Sequence, residues 1–243
     1  MTSEQYGKTV YADNATFQYS DPQLVSFNNP QLAKILAKIL DHKFTLGRNG
    51  AVCMPPWLRD TKIRIGDTEY QMGIGGLHSC ENSKYFCSDK DYTLFDLDVS
   101  SYYPSIILQQ RLAPKSMGAP FLKVYQGIVT RRLAAKKSGD TVTADVLKIA
   151  VNGSFGKLGS KYSALFAPEL LIQTTITGQL CLLMLIERLE DAGARVVSAN
   201  TDGVVITADT DLSISARRSH STGSLIHRSR WSVLTTRLLV FVM

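Results

Sequence analysis

The sequence predicts an α+β fold. Three observations carry that prediction: strand-like patterns at 61–74, 92–97 and 195–207, a pair of helical segments around a short polar turn within 120–158, and one long apolar helical run at 173–193. Strands and helices fall in blocks, the arrangement of a sheet with helices segregated against it. A chain of 243 residues can bury one good core or two small ones.

Residues 1–30 are polar and carry little periodicity, so 1–60 is expected to be a leader or the remnant of an upstream region. Inside it, Leu32, Ile35, Leu36 and Ile39 recur at helical spacing and predict a short amphipathic helix from Pro30 to Asp41. Ile63 and Ile65 alternate before Gly66-Asp67, and Tyr70 and Met72 follow it, which reads as a β-hairpin. Tyr92 to Leu97 is a β-rich, aromatic run ending in Asp98. Pro104 then breaks the pattern, since its ring cannot donate to a ladder and the residue before it is held extended.

Pro120 to Lys137 is a helix candidate with Pro120 near its start and Phe121, Val124, Ile128 and Leu133 among its apolar positions. Ser138-Gly139-Asp140-Thr141 interrupts it, and a second helix runs from Val142 to Leu158, so the two form an antiparallel hairpin. Arg132 and Lys148 stand at equal distances, roughly 12 Å at 1.5 Å rise per residue, on either side of that turn, and should lie side by side. Lys136 shares a face with Arg132, and Asn152 and Phe155 share one with Lys148. Such a basic face suits a triphosphate, with Arg fitted to bidentate phosphate contacts; solvated charge on an exposed hairpin is the alternative.

Gln173 to Gly193 reads as an apolar helix through Leu180, Leu182, Leu183, Leu185, Ile186 and Leu189. Arg195 to Ser198 and Val204 to Thr207 are strands flanking the turn Asn200-Thr201-Asp202-Gly203, which would bring Asp202 up to Asp98.

Charge is unevenly spread. All acids lie at or before Asp211, while five of the 27 basic residues (Arg217, Arg218, Arg228, Arg230 and Arg237) follow it, leaving 22 basic against 21 acidic side chains in the body. Positive charge there must act locally rather than as a global field. The tail is either a basic nucleic-acid-binding segment or a truncated or frameshifted end. Cys53, Cys80, Cys87 and Cys181 form no Cys-x-x-Cys pair, so reduced, packed thiols are expected rather than a zinc site with His78. No signal peptide opens the chain, and the apolar run at Leu180 to Ile186 is too short to span a bilayer, so a soluble, cytoplasmic protein is expected.

Asp98 at the end of a strand suits a hard cation, which takes oxygen ligands and shares them with substrate phosphates; a turn-capping Asp is the bland alternative. Its company decides between them. Asp98-Val99-Ser100-Ser101-Tyr102-Tyr103-Pro104-Ser105, Lys148-x-x-x-Asn152-x-x-Phe155-Gly156 and Asn200-Thr201-Asp202 come in that order. Together they resemble motifs A, B and C of family B DNA polymerases of phage or mobile-element type, over about Gly75 to Thr210. The one departure in motif C is Asn200, where most members carry an acid.

The resemblance implies a palm sheet with helices beneath and a two-helix fingers hairpin inserted, with exonuclease and thumb domains absent. The palm would comprise 61–118 and 159–211, the fingers 119–158, and 212–243 a basic tail of unassigned fold. It implies template-directed DNA synthesis on a primer-template from deoxynucleoside triphosphates. Asp98 and Asp202 would be the catalytic ligands of two Mg²⁺ ions, with Asp96 a fallback of the same strand parity. Tyr103 would pack beneath the deoxyribose. Arg132, Lys136 and Lys148 would hold triphosphate oxygens, and Asn152 and Phe155 would border the nascent pair. Gly75 and Gly76 sit where members carry a template-contacting Gly-Gly loop, though a simple tight turn fits equally. Asp67-Thr68-Glu69 is read as a hairpin turn, because the distance to Asp98 leaves no room for an exonuclease. A catalytically silent, nucleic-acid-binding remnant is the alternative function, and a reverse transcriptase or RNA polymerase palm a third.

Overall fold

Strand hairpins in one part of the chain and a helical hairpin in another organise the fold. The computed structural model describes residues 9–81, 85–99 and 101–209. In chain order its elements are β1 (Thr16–Gln18), α1 (Pro30–Asp41), β2 (Lys43–Thr45), α2 (Pro56–Arg59), β3 (Ile63–Ile65), β4 (Thr68–Met72), β5 (Leu77–Ser79), β6 (Tyr92–Asp98), α3 (Tyr102–Gln109), α4 (Ala119–Ser138), α5 (Thr141–Lys157), α6 (Pro168–Asp191), β7 (Arg195–Asn200) and β8 (Gly203–Asp209). The class is α+β, with purely antiparallel pairing among these strands. They fold as two compact units, the first from residues 9–22, 38–55 and 101–177 and the second from 23–37, 56–81, 85–99 and 178–209.

The first unit is built on α4 and α5. Gly139 ends α4 in the left-handed conformation at φ 78°, where its N–H reaches back to the carbonyls of Ala135 and Lys136. Asp140 then caps α5 by accepting the Thr143 N–H. The helices close on each other through Phe121, Tyr125 and Val129 on one side and Val151 on the other, in a cluster with Ile107, Leu158 and Ala167. Tyr125 Oη donates to the Val151 carbonyl at 3.2 Å and pins their register. β1 and β2 pair with Phe17 opposite Phe44, and Tyr19 is buried with its hydroxyl 3.1 Å from Thr177 Oγ1. β1, β2 and Tyr19 are thus ordered elements of this unit; strands three residues long leave too little periodicity to read in the sequence.

A second departure concerns Pro104. Instead of an extended Tyr103 before a chain break, the sequence continues into α3, with Ser101 left-handed at φ 57° just ahead of it. Pro104 falls in the first helical turn, where the missing N–H would have had no intrahelical acceptor. Tyr102, Ile106 and Ile107 of α3 are buried, a spacing that was present in the sequence but overridden by the proline.

In the second unit a six-stranded sheet runs β3-β4-β5-β7-β8-β6. Gly66 and Asp67 turn the β3–β4 hairpin, with Asp67 paired to Arg195 at 3.2 Å and Glu69 to Lys62 at 3.2 Å. The later half of α6 supplies Leu180, Leu183, Ile186 and Leu189, all fully buried. Each contributes roughly 1.5–3 kcal/mol by leaving water. The helix is tied to the sheet at both ends of that half: Gln179 exchanges two hydrogen bonds with the Gly73 backbone, and Glu190 accepts the Val196 N–H at 2.7 Å.

α6 begins at Pro168, five residues before the sequence pattern places it, because proline suits a first helical position and Glu169 favours the first turn. Among the described residues it alone is long and apolar enough to cross a membrane, yet 78% of its apolar window is buried inside the protein, as in a core helix. The packed-thiol expectation holds for Cys181 only; Cys53, Cys80 and Cys87 are exposed. The tail from residue 212 lies outside the described residues.

Candidate functional site

The end of the second unit's sheet gathers the carboxylates. β6 pairs with β8 along its whole length, Tyr92 opposite Asp209 through Asp98 opposite Gly203, and β7 meets β8 in a hairpin closed by Asn200 opposite Gly203. Asp96 and Asp98 are two residues apart on one strand and so project from one face. Only two residues, Thr201 and Asp202, make the turn, so Asp202 arrives beside the end of β6. The Val99 N–H donates to the Asp202 carbonyl at 2.9 Å. A Cβ on Gly203 would stand 3.2 Å from the Leu97 carbonyl and at ordinary contact distance, 3.7 Å, from Asp98 Oδ1, so the bare glycine eases the close approach of β8 to the end of β6.

Asp96, Asp98, Asn200 and Asp202 line one open concavity of about 380 Å³ with Ser198 and Gly203. Asp96 and Asp98 are exposed and form no ion pair with the described residues. The donor set is oxygen throughout, which fits a hard cation. Among the described residues no three His, Cys, Asp or Glu side chains close into a metal cage. The carboxylates of Asp96, Asp98 and Asp202 instead border an open concavity, a geometry that leaves room for a cation's waters and for substrate oxygens.

Thr201 is the strained point of the turn. It is β-branched and sits at φ 56°, while the Asp202 N–H reaches the Asn200 carbonyl at 2.6 Å across it, the hydrogen bond of a three-residue turn. The Thr201 N–H donates to the Leu77 carbonyl at 2.8 Å, and its hydroxyl to Asn200 Oδ1 at 3.1 Å. Gly76 is buried directly against this side chain, and a Cβ there would lie 2.8 Å from Thr201 Oγ1. Gly75 is exposed, with open space around the position of a Cβ.

The remaining predicted site residues belong to the first unit. The Tyr103 ring lies 4.7 Å from that of Phe155, tilted 34°, and stacks on Tyr102 at 5.7 Å. Arg132 is half-buried, and its Nη1 donates to Ser101 Oγ. Its Nε is buried without a hydrogen-bond partner among the described residues. Lys136, Lys148 and Asn152 are exposed, and neither lysine enters an ion pair with the described residues. Lys148 lies one turn from buried Ala144 and one from buried Val151, so its stem starts on the face that packs on α4.

Two participants escaped sequence reasoning. Ser101 is a turn residue in the motif whose hydroxyl holds Arg132, and Thr201 is a β-branched residue between two turn formers; the second oddity was legible, the first was not. Compared with known proteins, the chain matches no family model and no curated protein, so its functional reading rests on its own residues and their geometry.

Proposed function

We propose that this chain is the palm and fingers portion of a DNA-directed DNA polymerase, extending a primer 3′-hydroxyl on a DNA template. The observation that carries the reading is the meeting of Asp98 and Asp202, from separate motifs, on one oxygen-lined concavity. Phosphoryl transfer asks the protein chiefly for positioning and charge stabilisation, and a pair of carboxylates at a strand end and a tight turn supplies a rigid mount for both. Two Mg²⁺ ions held by Asp98 and Asp202 would supply charge neutralisation and a more acidic 3′-hydroxyl.

The chain's own side chains divide the rest of the work. Asn200 offers an amide oxygen without charge, and Asp96 a third carboxylate on the same face. In the first unit, Arg132 has an unmatched buried N–H and the exposed Lys136 and Lys148 have no acidic partner among the described residues, a supply of cations for triphosphate oxygens. Tyr103, backed by Phe155, offers an aromatic face for a deoxyribose.

The reading is tested by Mg²⁺-dependent primer extension with the 243-residue chain, beside Asp98→Asn and Asp202→Asn. Extension by the parent and a loss of about 10²-fold or more in each variant is expected. Primer-template binding with no extension by the parent would instead favour a silent polymerase remnant.

A further inference from the structure

We infer that Gly76 and Thr201 form a brace that fixes the direction of Asp202, making Thr201 a positioning residue held in a strained conformation by the Gly-Gly loop. The inference rests on the assignment of Asp202 as a cation ligand, and it gives Gly76 a task other than touching template. Four observations converge on it. Thr201 occupies the left-handed region, where β-branched residues are genuine outliers. Its N–H is spent on the Leu77 carbonyl at 2.8 Å, which ties the turn to the strand that the Gly-Gly loop opens. Gly76 leaves room for all of its side chain: a Cβ there would stand 2.8 Å from Oγ1, 3.1 Å from Cγ2 and 3.3 Å from Cβ of Thr201. The following residue is Asp202, whose N–H and carbonyl are both committed, to Asn200 at 2.6 Å and to Val99 at 2.9 Å.

Strain of this kind persists only where the surroundings over-determine it. A glycine at position 201 would adopt the turn without strain, so nothing about chain reversal requires threonine. What threonine adds is a side chain wedged on Gly76 and bonded to Asn200, which removes the turn's freedom to swing. Asp202 then enters the concavity from a fixed backbone.

The test is a double-mutant cycle on the full chain: Gly76→Ala, Thr201→Gly and both together. Three readouts are used: thermal melting, Tb³⁺ luminescence without DNA, and the Mg²⁺ concentration for half-maximal primer extension. Thr201→Gly should hold the melting temperature while weakening Tb³⁺ binding and raising the half-saturating Mg²⁺ about tenfold, the size of a coupling between touching groups. Gly76→Ala should lower the melting temperature and weaken cation binding in the parent. On the Thr201→Gly background the same change should cost little, because all three close contacts are gone. Equal cost of Gly76→Ala on both backgrounds, or unchanged cation binding in Thr201→Gly, would overturn the brace. A parent that binds Tb³⁺ with this coupling but extends no primer would sink the polymerase reading and leave the brace standing; a parent that binds no cation would sink both.

Discussion

At the scale of single residues, three unusual side-chain situations fall on residues singled out for the candidate site or beside them. Among the described residues Arg132 buries an unpaired N–H and the exposed Asp96 and Asp98 enter no ion pair, while Thr201 is strained. Natural folds tolerate such costs where function recovers them. Tyr103 is a gentler case, because its ring is already supported by Phe155 at 4.7 Å and Tyr102 at 5.7 Å. If that face lies under a deoxyribose, Tyr103→Val should raise ribonucleotide incorporation relative to deoxyribonucleotide by about tenfold or more, the price of one well-packed contact. Competing incorporation of the two sugars measures this, and an unchanged ratio would remove Tyr103 from sugar selection.

At the scale of elements, caps and periodicity explain what could be read in advance. α1, α4 and α5 follow from apolar spacing plus Pro120, Gly139 and Asp140, and the strands around 63–72 and 195–207 follow from alternation and turn residues. α3 was hidden because Pro104 looks like a breaker until its place in the first turn is known. The β1–β2 pair was hidden because its strands are short and their pairing is not local. Asp98 and Asp202 could be singled out from motif order, but the contact of Gly76 with Thr201 depends on β5 lying beside β7, which no local pattern announces. The α4–α5 hairpin depends on Gly139 as a backbone device alone, since a Cβ there would meet nothing within 4 Å. Gly139→Ala should therefore cost about 1–2 kcal/mol through left-handed strain, read as a lower urea midpoint. An unchanged midpoint would mean the turn relaxes.

Glu190 at the end of α6 links an element to pH. Burial pushes its carboxyl above the usual glutamate range; the Val196 N–H opposes this, nearby Asp67 adds to it and Arg195 opposes it. Its contribution to stability is present below the unfolded glutamate pKa, about 4.3, and is lost as pH rises through the higher folded value. Glu190→Gln keeps an oxygen for the Val196 N–H without the buried charge. Its melting temperature should therefore gain on the parent's as pH is raised from about 4 to about 7. A difference that stays constant over that range would contradict the assignment.

At the scale of the whole molecule, residues up to 211 are nearly neutral, with 22 basic and 21 acidic side chains, so no overall field draws this body to nucleic acid. On the proposed reading, affinity for DNA would come from local phosphate contacts and fall with added salt. The central claim is templated synthesis, and the most direct measurement is incorporation of a single nucleotide by the full chain on a DNA duplex with a one-base template choice, in Mg²⁺. Incorporation that follows the template base across all four choices, prefers deoxyribonucleotides and disappears in Asp202→Asn is the expected result. Addition that ignores the template base, or that survives in Asp202→Asn, would contradict it.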